Sequence, residues 1–585
     1  MKVNTSRLNL MILLSASALA LSACNNMSKN INNEIQNVGT SPYTNCSFDA
    51  SASSEVFDTV IINGRVMDPE CDFDGQRNVG IKNGEIALIT AGEITGKEVI
   101  DAKDHVVAPG FINTHSHSFA PFEQRMMAHD GTTTILDTEL GVSNVNIFYD
   151  KYKDNSLLNY GSGISHEEVR RVVMDGLTQE QTSDPTFATI SRGLAEKKNS
   201  RNWSLSIATP NQHEEILKMY DQGMRDGAIT VNSTYGYMGY SVPTYEIFDL
   251  QKMAKKYNRY FGAHTRFGTI ESLPKNYSLG VREVVANAVA LDGALILSHI
   301  QSQNWPESYE LCRRFQEQGK DMFCEYYPSI YGTPNIATPQ LLPDKIKLNN
   351  GDPTKMIIDP RTGKYFESWE SFFALQKEKP AEVVFIEMRD KKWEKQWVHM
   401  KDIALANDVI TTLTPEGKVL PEDTDPSEYG GHPRNARTYS YIFRMAREEG
   451  LPLMHTVYNA AYTPAKYFSK VGLFQKRGRL QPGMIADITI FHPENIADAA
   501  TLKIGERGFF SKGIPYVMVG GSLVVNNGKD TLGMRPGQPI RYDVITEGEV
   551  SSELNDKKYQ WHADLPGYDE SRHTYPTPKP HDHEH

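Results

Sequence analysis

The chain has 585 residues, 61 Lys and Arg against 73 Asp and Glu, and a formal net charge of −12. With 39% hydrophobic residues and five cysteines it is too apolar for a disordered chain and too long and cysteine-poor for a small disulfide scaffold. Single cores stop growing near roughly 250–300 residues, so one large domain plus a smaller one is expected. The acidic balance and the lack of a Lys/Arg run disfavour nucleic acid, whose phosphates require clustered cations, and leave a small molecule as the expected partner.

Lys2 and Arg7 precede an apolar run from Leu8 to Leu21. That run is shorter than a bilayer-spanning helix and has the length of a signal-peptide core, so residues 1–23 are expected to be removed. Leu21-Ser22-Ala23-Cys24 resembles the lipobox of bacterial lipoproteins. The resemblance implies lipidation of Cys24 and an exported, membrane-anchored protein, on the periplasmic face of the outer membrane in a Gram-negative host or at the cell surface otherwise. An ordinary secretory signal with a coincidental Cys is the plainer alternative. Cleavage removes two cations, taking the formal charge from −12 to −14. Residues 24–54, rich in Asn, Ser and Thr, read as a tether. Cys46, Cys71, Cys312 and Cys324 then remain; a Cys46 to Cys71 bridge and four free buried thiols both stay open.

Residues 55–108 read as short strands with turns at Asn63-Gly64 and Asn83-Gly84, because Asn-Gly between apolar runs tolerates the positive φ a hairpin needs. The same texture returns over 476–545, which predicts one discontinuous β-sandwich domain. Between them, residues 109–475 alternate helical patterns with brief apolar strands, the pattern of an α/β protein built as a (β/α)8 barrel with its chemistry at the C-terminal strand ends. Ser165-His166-Glu167-Glu168 is an expected capping box, and 245–257 an amphipathic helix leading into a strand. The stretch of about 335–407, with Trp369, Trp393 and Trp397, reads as an insertion over the barrel mouth. The polar tail 546–585 ends in His581-Asp582-His583-Glu584-His585, which reads as solvated chain before a metal scavenger.

The most informative segment is Val106-Val107-Ala108-Pro109-Gly110-Phe111-Ile112-Asn113-Thr114-His115-Ser116-His117. Strand side chains alternate, so His115 and His117 point the same way and can hold one ion. With the hairpin-rich stretch before it, the segment resembles the first barrel strand of the amidohydrolase superfamily. His264, after Tyr260-Phe261-Gly262-Ala263, and His299, after Leu295-Ile296-Leu297-Ser298, fit as ligands from the fifth and sixth strands. Neutral imidazole suits Zn²⁺, as one or two ions, with other divalent metals admissible.

Many relatives bridge two metals with a carbamylated Lys, but Gly227 to Ser233 offers Asn232 there. The strand Gly131 to Gly141 resembles the segment that supplies a Cys ligand in N-acyl-D-amino-acid deacylases (D-aminoacylases). Here Glu139 stands at or beside that position and takes the ligand role, with Asp137 on the same face as the alternative. The deacylase resemblance extends through Tyr326-Tyr327-Pro328, Gly430-Gly431-His432-Pro433-Arg434 and Gly478 to Asp487. It implies that Tyr327 and Arg434 hold the substrate carboxylate, with Arg266 sharing that work.

Two departures stand out. Gln301 replaces a Lys that commonly helps bind substrate, and the eighth-strand Asp-Gly of the superfamily has no obvious match in Asp408 to Gly417. Gapless placement puts Thr414 at the Asp position, whereas a shift of two brings Glu416-Gly417 there. Glu416 is the expected catalytic proton acceptor, since a carboxylate is needed. The expected activity is metal-dependent hydrolysis of N-acyl amino acids, by resemblance of D configuration. A cyclic-amide hydrolase of hydantoinase or dihydroorotase type is the enzymatic alternative, and an inactive metal-binding lipoprotein the non-enzymatic one.

Overall fold

The structure is a computed structural model that describes residues 52–546 together with Cys46 and Phe48, apart from 188–190, 193–194, 196–199, 240, 268–278, 303, 349–350 and 415–416. The signal peptide, Cys24, Glu416 and the terminal tail lie outside the described residues. Cys46 and Cys71 are disulfide-bonded, whereas Cys312 and Cys324 are buried free thiols. No helix among the described residues is long and apolar enough to cross a membrane.

Strands of the two β-rich parts join in one sheet. Val56–Asp68, Phe73–Lys82, Glu85–Thr90, Thr95–Asp101 and Val106–Pro109 share a sheet with Ile488–Phe491, Tyr516–Val519, Ser522–Asn526 and Lys529–Asp530. Their seam is the antiparallel pairing of Val106–Pro109 with Ile488–Phe491, in which Val107 faces Ile490. Asn83 and Gly84, with φ of 52° and 78°, form the hairpin turn their chemistry favours. Asn63-Gly64 does not turn the chain. It lies inside Val56–Asp68, where pairing with Phe73–Lys82 shifts register between Ile61 and Gly64. Its positive φ serves a bulge, because apolar residues on both sides keep the same partner strand. A Cβ on Gly64 would stand 2.5 Å from Val107 Cγ2, so the close approach of these strands requires glycine.

Eight parallel strands, among the described residues, follow one another in chain order around the barrel: Phe111–Asn113, Thr132–Val142, Asn159–Ser165, Thr230–Ser233, Tyr260–Ala263, Ala294–Leu297, Met322–Tyr326 and Ala404–Leu405. In-register pairing sets Ala263 beside both Ser233 and Leu297, so the residues that follow these strands emerge at one rim. The eighth and first strands meet at that rim, where Asp408 N donates to His115 O (2.8 Å) and His117 N to Val409 O (3.0 Å).

Helices cover the outside as the periodicity predicts. Thr244–Lys256 buries Ile247, Leu250, Met253 and Ala254 on one face. Ser165 caps His166–Asp175 by accepting from Glu168 N at 3.1 Å, a contact worth about 1 kcal/mol. The capping box is half made, because the Glu168 carboxylate does not reach back and both its oxygens are buried without a hydrogen bond. Phe111 stacks on Tyr439 and Phe443 of helix Arg434–Glu448, with centroids 5.0 and 5.1 Å apart, tying the first strand to the helix after the eighth.

Between the seventh and eighth strands, Tyr331–Gly332, Ile357–Asp359, Lys364–Tyr365 and Phe385–Glu387 form a separate antiparallel sheet. Helix Trp369–Glu378 packs Phe372 and Leu375 into its own apolar cluster with Ile336, Ile357 and Ile386. The insertion is therefore a small folded unit, and it begins a few residues before 335.

Candidate metal centre and active site

His115 and His117 leave the first strand with their Nε2 atoms 3.0 Å apart. Asp408 Oδ1 stands 3.4 and 3.6 Å from those two nitrogens. A second group lies beside the first: Glu139 Oε1 is 3.0 Å from His264 Nδ1 and 2.9 Å from His299 Nε2, and these ring nitrogens are themselves 3.0 Å apart. The other Glu139 oxygen, Oε2, faces His115 Nε2 at 3.4 Å and His117 Nε2 at 3.3 Å. One carboxylate thus spans both groups. The ring of His264 is seated against Gly236, where a Cβ would come within 2.4 Å of His264 Cδ2.

These residues fit divalent cations. Each trio offers one ligand atom per residue within 4.8 Å of the others, and mixed imidazole and carboxylate donors suit zinc and its neighbours. The facing imidazole nitrogens in each group, 3.0 Å apart, are close enough for both lone pairs to reach one cation. The electrostatics agree. Burial opposes a charge on His115, yet Glu139, Glu325 and Asp408 raise its pKa well above the ordinary value, and Asp137 leads the same effect on His117. Burial likewise opposes a charged Glu139, but His115 and His264 hold its carboxyl well below the usual range. The pocket draws positive charge to its centre.

Further residues aim these groups. His115 Nδ1 meets Glu325 Oε1 at 2.6 Å, and Glu325 Oε2 accepts from Thr114 Oγ1 at 2.6 Å. His117 Nδ1 meets Asp137 Oδ2 at 3.2 Å, while Asp137 Oδ1 accepts the amide N–H groups of Glu139 (3.2 Å) and Leu140 (2.9 Å). Asp137 therefore orients His117 and fixes the Glu139 backbone instead of facing the ion position itself. Asn232 is buried and donates to the Asp137 carbonyl at 3.1 Å.

Among the described residues, the acid that reaches the imidazoles from beyond the eighth strand is Asp408. Glu416 lies outside the described residues, and the carboxylate that faces the imidazoles is Asp408, three residues beyond a strand only two residues long. Asp408 has φ of 46°, and no glycine follows it, which hid it from a reading based on Asp-Gly. Arg266 is a correction. Nε donates to Glu283 at 2.8 Å, Nη2 also contacts Glu283, and Nη1 donates to the Gly239 and Val242 carbonyls at 3.1 and 2.9 Å, so it is a structural residue away from the cavity. Arg434 is committed as well: it donates to Tyr331 O at 3.0 Å, to Thr333 Oγ1 at 2.5 Å and to Asp408 O, and its guanidinium lies 4.0 Å from the Tyr327 ring centre. It braces Asp408 and Tyr327 instead of meeting substrate directly.

Tyr327 does line the cavity, which measures about 860 Å³ including its mouth and is floored by His117, Glu139, His264, His299 and Asp408. The insertion supplies its far wall, including Thr333, Ile386 and Met388. Two arginines unflagged by the sequence reach it, Arg192 and Arg389. Arg389 Nε donates to Gln301 O at 2.9 Å and Nη2 to Tyr327 Oη at 3.2 Å, which puts a cation beside the position where the expected Lys is missing. Only tertiary structure brings an insertion residue there.

No family profile matches the chain. The N-acyl-D-aspartate deacylase of Alcaligenes xylosoxydans xylosoxydans is 24% identical over 523 residues, spanning 83% of this chain and 95% of that protein. The D-aminoacylase of the same organism is 22% identical over 494 residues, spanning 78% and 92%. The crystal structure of N-acyl-D-glutamate deacylase from Bordetella bronchiseptica, complexed with zinc and a phosphonate inhibitor, superposes with a TM-score of 0.62 at 21% identity, covering 83% of this chain and all of that one, and shares its fold. Over most of its length the chain is similar to N-acyl-D-amino-acid deacylases and to D-aminoacylase.

Proposed function

We propose that the chain is a metal-dependent hydrolase that cleaves the amide bond of N-acyl amino acids, of D configuration, to a carboxylate and a free amino acid. Similarity to these deacylases along most of the chain supports a hydrolase of carbon–nitrogen bonds other than peptide bonds. The observation that carries the finer reading is the double engagement of Glu139, which gathers His115, His117, His264 and His299, from the ends of three other barrel strands, around one carboxylate.

His115, His117 and Asp408, or Glu139, His264 and His299, would hold a divalent cation, which when bound would supply Lewis acidity and lower the pKa of water. The protein's own groups do the rest. Burial would raise the Asp408 pKa, but Arg434 and His115 outweigh it and keep the carboxyl ionised, ready to accept the water proton and return it to the leaving nitrogen. Tyr327 Oη accepts from Arg389, whose other donors go to Gln301 O, Ser329 O and Ser302 Oγ, so the tyrosine hydrogen is left to donate into the cavity and, with the Arg389 charge behind it, suits a substrate carboxylate. Tyr237 packs at a tilt against His264 with centroids 4.6 Å apart and, kept neutral by burial, gives the pocket an apolar wall.

The relatives named for N-acyl-D-aspartate and for D-amino acids support the D configuration. A cyclic-amide hydrolase bridged by a carbamylated Lys is disfavoured, because the fourth-strand position is an Asn bonded to the barrel backbone. The inactive-lipoprotein alternative loses its motive, since Asp408 supplies the acid thought missing. The test is hydrolysis of paired N-acetyl-D- and N-acetyl-L-amino acids by zinc-loaded protein, with a chelator control. Chelator-sensitive release of D-amino acids supports the reading; turnover of hydantoins alone, or none of either class, contradicts it.

A further inference from the structure

Building on the acyl-amino-acid reading of the cavity, we propose that Arg192 forms a second carboxylate subsite, binding an anionic group of the substrate distinct from the one at Tyr327 and Arg389. Arg192 is 6% exposed and comes from the segment between the third and fourth barrel strands. Its Nε and Nη2 donate to Glu167 Oε1 and Oε2, both at 2.7 Å. Glu167 is itself anchored from behind, accepting from Arg171 Nη2 at 2.9 Å and Thr234 Oγ1 at 2.6 Å. The Arg192 guanidinium lies 4.0 Å from the Tyr237 ring centre, and that ring rests on His264. The guanidinium can therefore neither swing nor tilt freely. Its remaining nitrogen, Nη1, has no hydrogen-bond partner among the described residues, and the residue lines the cavity.

Glu167 faces two guanidinium ions, Arg171 and Arg192, and Glu168 stands 3.6 Å from Arg171 Nε. Its neighbour Glu168 adds no compensating charge at neutral pH, because burial, against the pull of Arg171, pushes its carboxyl up to about 8. The open Nη1 edge of Arg192 thus stands at the cavity wall on a preorganised fork whose natural complement is a carboxylate. A nearly buried cation with an open donor edge is costly unless a ligand completes it. Arg192 stands one aromatic ring away from His264, and Arg389 one ring away from His299, whose centroid is 6.1 Å from that of Tyr327. A substrate held through its amino-acid carboxylate at Arg389 can reach Arg192 with a second carboxylate, carried either by the amino-acid side chain or by the acyl arm.

The experiment is calorimetry on zinc-loaded protein with reaction products, which needs no turnover and so separates failure of this subsite from failure of the hydrolase reading. D-glutamate is compared with D-glutamine, and succinate with succinamate. At least one dianion is expected to bind about tenfold tighter than its monoamide: D-glutamate if the second carboxylate sits on the side chain, succinate if on the acyl arm. Arg192→Met should erase that preference and Arg192→Lys, which keeps charge without the planar fork, should restore part of it; zinc content and thermal unfolding of both variants establish that they are folded. Equal binding of both pairs by the wild type, or a preference that survives in Arg192→Met, overturns the proposal.

Discussion

Arg434 holds Asp408 twice, donating to its carbonyl oxygen and standing 3.5 Å from Oδ2 of its carboxylate. The same guanidinium supports the ring of Tyr327. Removing the proton acceptor should cost about 10²–10⁴ in kcat, the usual range for a general base. Asp408→Asn is therefore expected to lose far more activity than Glu416→Ala, and Arg434→Met to fall between wild type and Asp408→Asn. Steady-state kinetics on an N-acetyl-D-amino acid checks the ordering; a larger loss in Glu416→Ala would return the acid role to that residue.

Glu325 touches no ion position, yet it fixes the ring of His115 at 2.6 Å. Carboxylates that orient a ligating imidazole are worth about 10–100-fold in metal affinity. Glu325→Gln should weaken zinc binding by that factor, measured by competition with a chromogenic chelator. Unchanged affinity would show that the barrel holds His115 in place without help.

Glu123 gives the stability a pH dependence. One oxygen accepts from Thr412 N at 3.0 Å, the other is buried without a partner, and burial pushes the carboxyl up to about 7 from an ordinary 4.5. Between those values the folded chain binds more protons than the unfolded one, so stability falls as pH rises through the window and levels off above it, by on the order of 3 kcal/mol. Glu123→Gln should flatten that part of the profile. Parallel unfolding curves for both proteins from pH 4.5 to 8 would contradict it.

The amino-terminal motif makes a separate prediction. With Cys24 lipidated, labelled fatty acid should appear on the mature protein, and Cys24→Ala should move it from the membrane to the soluble fraction. Labelling that persists in Cys24→Ala would rule the motif out.

Several parts of the site were legible because strand geometry is written in the sequence. His115 and His117 are two residues apart at a strand end, Glu139 lies on the inward face of Thr132–Val142, and His264 and His299 follow short apolar strands. Asp408 was not legible, since its strand is too short to show a period and its turn lacks the expected glycine. Arg266 and Arg434 looked like substrate ligands because their partners, Glu283 and Asp408, are 17 and 26 residues away and meet them only in the fold. Arg192 and Arg389 escaped notice for the same reason: nothing local distinguishes a pocket arginine from a surface one. Asn63-Gly64 shows the converse, a strong local turn signal overridden by a strand that pairs on both sides of it.

Glu139 Oε2 faces His115 and His117 while Oε1 faces His264 and His299, so its two oxygens would serve two ion positions. Anomalous diffraction at the zinc edge from crystals grown with zinc tests this most directly. Two peaks are predicted, one within bonding distance of His115, His117 and Asp408 and the other of Glu139, His264 and His299, with a Glu139 oxygen on each. Density with no anomalous signal there, or with these imidazoles turned away from one another, would contradict it.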